Sequence, residues 1–116
     1  MAEHAESESR AGVDWRRGRE RAAGVLAGLV RWAGLVFALF LAIHVVFVIG
    51  EANPDNGIVS FVRGGADAFS LGFRDLFLPA DLKLRVLVNY GLAAVFWLVV
   101  SSIVAKVIRR VGGVSA

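Results

Sequence analysis

EANPDNGIVSFVRGG, residues 51–65, is the stretch on which the fold turns. Asn53-Pro54-Asp55-Asn56-Gly57 is a turn, because proline cannot continue an arriving helix and Asn, Asp and Gly supply turn geometry. Asp55 or Asn56 can then cap a new helix. Wound at the helical period, Ile58, Phe61, Val62, Gly65, Phe69, Gly72, Phe73 and Leu76 share one third of the wheel. Ser60, Arg63, Asp67, Ser70 and Arg74 lie opposite, while Leu71 and Asp75 fit less well. This segment is too charged to span a bilayer. It predicts a helix lying in an outer membrane interface or one folded onto neighbouring spans. Gly64-Gly65 and Gly72 also allow a broken pair of short helices. A soluble amphipathic helix is the plainer alternative, and a position between two apolar runs argues against it.

Those two runs come next. Trp32–Gly50 holds 19 residues and Val86–Ala105 holds 20, with no charged side chain in either. At about 1.5 Å per residue each reaches across a hydrocarbon core of about 30 Å. Hydrophobic residues make up 57% of the 116, and they are concentrated in two blocks rather than spread periodically. A buried core helix would need a large surrounding domain, for which a chain of 116 residues has no room. Arg16-Arg17-Gly18-Arg19 before an apolar run resembles a signal peptide. The run is too long for one, however, and Gly50-Glu51-Ala52 is a poor cleavage site, so a retained helix is expected.

The expected fold is all-α, a two-span transmembrane helical hairpin with an amphipathic interfacial helix in the connection. Residues 1–21 form a charged cytoplasmic tail, disordered to partly helical. Its first part, Met1–Gly12, is small, polar and acidic and should be disordered, while Asp14 can start a helix. Residues 22–50 form the first span, 51–81 an external turn and amphipathic helix, 82–110 the second span, and 111–116 a flexible tail. Asp81, after Leu78-Pro79-Ala80, caps the second span, and Lys83 and Arg85 snorkel at its start.

Charge sets the orientation. The net charge of +3 could suggest nucleic acid, but the basic residues flank the spans, so lipid is the expected partner. Arg16, Arg17, Arg19, Arg21, Arg31 and Trp32 precede the first span, and Lys106, Arg109 and Arg110 follow the second. The connection between the spans is mixed, with four basic and five acidic residues. The positive-inside bias therefore predicts a two-pass protein of the bacterial plasma membrane with both termini cytoplasmic.

His44 is the sharpest candidate for chemistry. It lies in the outer half of the first span, about 9 Å from its end. An ionisable residue inside a span suggests a function by default, here a haem ligand, a quinone contact or a proton relay. A bis-histidine haem would need a second chain, since no other histidine lies in a span. A hydrogen bond across the hairpin to Asn89 or Tyr90, at comparable depth, is the simpler role. Trp97, mid-span, should pack against a neighbour. Gly24-x-x-x-Gly28 and Gly34-x-x-x-Ala38-x-x-x-Ala42 permit close helix approach or simply face lipid, and Ser101-Ser102 should bond their own backbone. Asp67, Asp75 and Asp81 make no acid–base pair, and the chain carries no cysteine, phosphate loop, zinc spacing or nucleophile elbow. No metal and no cofactor are expected, and no enzyme activity.

The order of these elements resembles the YggT/YlmG family of small bacterial and plastid membrane proteins. Asn53-Pro54-Asp55-Asn56 matches that family's Asn-Pro-x-Asn turn. Phe73-Arg74-Asp75-Leu76-Phe77-Leu78-Pro79, with Asp81 after it, matches its Phe-Arg-x-Leu-x-x-Pro stretch and following Asp. The similarity covers residues 30–108. Ala66-Asp67-Ala68 replaces the family's Thr-Glu-Pro, and Leu82-Lys83 replaces its Ser-Pro. The resemblance implies a role in envelope organisation, division or assembly of membrane complexes. The expected function is thus a non-catalytic interaction or assembly factor that contacts lipid and other membrane proteins or itself. An accessory subunit of a respiratory or transport complex, or a haem- or quinone-contacting subunit, is the alternative.

Overall fold

The computed structural model describes residues 2–113; Met1 and residues 114–116, part of the expected C-terminal tail, lie outside the described residues. Among the described residues the chain is all-helical: α1 (Ala2–Ile49), α2 (Gly57–Phe69), a short 3-10 turn (Leu71–Phe73) and α3 (Leu82–Val111). The expected boundaries of the two long helices near residues 50, 82 and 110 fall within a residue of these ends.

The expected disorder up to Gly12 is corrected, since α1 is continuous from Ala2. Residues 2–31 are rich in Ala, Glu and Arg, which propagate helix well. Extending a helix already nucleated by the apolar stretch adds a hydrogen bond per residue with no second nucleation cost.

α1 and α3 pack antiparallel. Ala23 lies beside Gly112, Gly34 beside Ser101, and the His44 ring against that of Tyr90. The contact stripe on α1 is Ala23, Ala27, Gly34, Ala38 and Leu41, and on α3 it is Ala93, Ser101 and Ala105. Such small side chains let the backbones approach closely. Gly34 and Ala38 thus serve this seam, whereas Gly28 and Ala42 are exposed.

α2 folds back along α1 rather than crossing its end. Phe40 meets Phe61 at a centroid distance of 5.5 Å and Phe69 at 5.7 Å. Phe37 stacks on Phe69 at 4.0 Å and meets Trp97 edge-on at 4.8 Å. The helix runs unbroken through Gly64-Gly65, and a Cβ on Gly65 would collide with the Phe40 ring. The break comes later, where Leu71 takes a left-handed conformation (φ 53°) just ahead of Gly72. A leucine held there costs on the order of 1 kcal/mol. The core joins all three helices through Leu41, Val45, Ala66, Tyr90 and Ala93.

The predicted apolar face of the connection is only partly buried. Val62 is buried and Phe69 and Phe73 pack on the core, but Ile58, Phe61 and Leu76 are exposed. Ser70, placed on the polar side, is buried, and Asp67 is half-buried. Both long helices are long and apolar enough to cross a membrane, with mean hydropathies of 2.6 and 2.2 over their most apolar stretches. Only 28% and 17% of those stretches are buried within the chain, so the molecule presents wide apolar flanks, which is compatible with a membrane protein.

The seam yields a paired test. Any Cβ on Gly34 would overlap the Ser101 side chain, so Gly34→Val should wedge α1 from α3. A cost of about 1–3 kcal/mol is expected from the overpacking. Gly28→Ala, where nothing lies within 4 Å, should be neutral or stabilising. Reversible unfolding in mixed detergent micelles, followed by circular dichroism, measures both.

Candidate functional site

The connection is held by local caps at its start and by side chains of α3 along its return. Asn53 Oδ1 accepts from the Asp55 N–H (3.0 Å) and makes the turn. Asn56, in extended conformation, caps α2 by accepting from the N–H groups of Ile58 (2.9 Å) and Val59 (3.4 Å). Asp81 caps α3 in the same way, accepting from Lys83 and Leu84. The Trp97 indole N–H donates to the carbonyl of Phe69 at 2.7 Å, so the end of α2 is anchored near the middle of α3.

Asn89 does not pair with His44. It is fully buried and grips the returning loop, accepting from the Phe77 N–H (2.9 Å) and donating to the Phe77 carbonyl (2.7 Å). A side-chain amide offers both a donor and an acceptor, so one side chain pairs both main-chain polar groups of a residue. Arg85 does not snorkel freely either: its Nε and Nη2 donate to the Pro79 carbonyl at 3.2 and 3.0 Å.

Tyr90 does reach His44, through ring contact at a centroid distance of 4.7 Å, while its hydroxyl donates to Asp67 Oδ1 at 2.6 Å. Above this pair lies a half-enclosed cavity of about 400 Å³. Its polar wall is His44, Arg63, Asp67, Arg74 and Tyr90, its apolar wall Phe47, Val48, Val59 and Val86, and Glu51, Ala52 and Pro54 of the turn complete the lining. Glu51 is held by Lys83 (3.7 Å) across from the start of α3. The size suits a small ligand.

Arg63, Asp67 and Arg74 were not foreseen as site residues. On the helical wheel they read as a solvated face, and nothing in their spacing announces that this face turns toward Tyr90 and His44. The other predicted anchors group by position. Arg16, Arg17, Arg19, Arg21, Arg31, Trp32, Lys106 and Arg110 are exposed and Arg109 is half-buried. The antiparallel pairing of Ala23 with Gly112 gathers those near residues 19–31 and 106–110 at one end of the hairpin. Among the described residues, no three His, Asp or Glu side chains converge as a metal site would require. No protein-family model, curated protein or solved structure matches this chain.

Asn89→Leu should leave both polar groups of Phe77 without their partner, for a loss of about 2–3 kcal/mol. Tyr90→Phe keeps the ring contact with His44 and removes one hydrogen bond to a half-buried carboxylate, for about 1.5 kcal/mol. Unfolding free energies of the two variants, measured side by side, should keep this order.

Proposed function

We propose that the chain is a two-pass protein of the bacterial plasma membrane, with both termini in the cytoplasm, that acts by contact with other membrane proteins rather than by catalysis. The observation behind this reading is the apolar surface left uncovered on both long helices, whose most apolar stretches are only 28% and 17% buried within the chain. Lipid covers such flanks, and so does the helix of a neighbour. A hairpin this small leaves much of its surface available for a partner. The basic residues gathered at one end favour a cytoplasmic location for that end. The resemblance of the Asn-Pro-Asp-Asn turn and the Phe-Arg stretch to YggT/YlmG proteins supports an envelope-organising or assembly role. An accessory subunit of a larger respiratory or transport complex would use the same surface.

One observation favours a second reading, a subunit that contacts haem or quinone. His44 is buried in the protein yet lines the cavity. A visible absorbance spectrum of the purified protein decides it: a Soret band lost in His44→Ala supports haem, and a featureless spectrum removes it.

For the main proposal, mild-detergent capture from native membranes with mass spectrometry should return a stoichiometric set of membrane proteins or a homo-oligomer. Recovery of a lone monomer would count against it. Reporter fusions at residue 116 and within 55–60 should read cytoplasmic and external respectively, and the reverse pattern would invert the orientation.

A further inference from the structure

We propose that the cavity walled by His44, Arg63 and Arg74 binds a phosphate group, carried either by a membrane lipid headgroup or by a small phosphate ester in solution. Arg63 comes from α2 and Arg74 from the returning loop, yet both line the same space. Among the described residues neither guanidinium forms an ion pair. Of the carboxylates in the lining, Glu51 pairs with Lys83, and Asp67 accepts from the Tyr90 hydroxyl, which turns one of its oxygens to that ring but leaves its charge in the wall. Two arginines that reach one cavity from different segments, with no ion pair among the described residues, can together receive a multidentate oxyanion.

The rest of the cavity suits an amphiphile. Phe47, Val48, Val59 and Val86 offer an apolar wall beside the arginines. Arg63 lies six residues into α2, which begins at Gly57, so it sits about 9 Å along that helix from its outer end. In the two-pass orientation proposed above, on which this inference rests, that is the boundary between headgroups and acyl chains. A phosphate there would meet both arginines while its glycerol and upper acyl segments followed the apolar wall.

Native mass spectrometry of the full chain in dodecyl maltoside tests this, with phosphatidylglycerol, diacylglycerol and glycerol 3-phosphate as probes. Phosphatidylglycerol should be retained and diacylglycerol, with the same tails and no phosphate, should not. The R63Q/R74Q variant should lose at least about tenfold in retention, as expected for the loss of charge-assisted hydrogen bonds. Val59→Trp, which fills the cavity without changing charge, should also lose binding. Retention of glycerol 3-phosphate without retention of the lipid would support the site and assign it to a soluble ester. Equal retention of diacylglycerol, binding untouched by either variant, loss in R63Q/R74Q alone, or no adduct with any phosphate probe would overturn the proposal. The comparison of probes on the unaltered chain decides even if a variant misfolds. Carbonate extraction from membranes reports insertion separately, so failure of the two-pass reading is distinguishable from failure of the site.

Discussion

A helix that ends among apolar side chains leaves its last carbonyls without water, and each unpaired group costs a few kcal/mol. The bond from the Trp97 indole to the Phe69 carbonyl meets that demand at the end of α2. The rest of the connection depends on it. With Phe69 fixed, its ring stacks on Phe37, and Asp67 comes within reach of the Tyr90 hydroxyl. The chain must then return to the start of α3, and α3 again supplies the partners, Asn89 for Phe77 and Arg85 for Pro79. One helix thus holds the connection at its lowest point and at two stations on the way back.

The two long helices, the turn at Asn53–Gly57 and the caps at Asn56 and Asp81 were legible because each is a local signal. A proline stops a helix and an Asn or Asp side chain caps one, whatever lies around them. The orientation of α2 was not legible. In water, an apolar stripe must face the protein, so the wheel would put Ile58 and Phe61 inward. Against lipid that rule loses force, because an acyl chain accepts phenylalanine as readily as a core does. Ile58 and Phe61 are exposed, while Ser70 is buried and Asp67 is turned to Tyr90.

The role of Asn89 escaped for a different reason. Its partners are main-chain atoms of Phe77, and no residue type marks a backbone as a target. His44 and Tyr90 could be brought together because both side chains lie on the two long helices at similar depth, but they meet ring to ring and not through the expected hydrogen bond, which Tyr90 gives to Asp67. The cavity escaped because its arginines belong to segments that read separately, one on a helix and one in a loop. Only the fold-back of α2 brings Arg63 and Arg74 to a common wall.

The seat of α2 also imposes an order on how the molecule is made. Trp97 follows Phe69 by 28 residues, so the partner for that carbonyl is made after α2 and emerges from the ribosome after it. In a membrane, a helix bearing Arg63 and Asp67 would wait at the surface, where its charges stay hydrated. The amphipathic pattern fits that waiting state as well as it fits the final one. The inner position becomes complete only with α3 beside it, which supplies Tyr90, Asn89 and Trp97. α3, made after α2, thus supplies what holds α2 in place, and a chain halted before residue 97 would lack the partner of the Phe69 carbonyl.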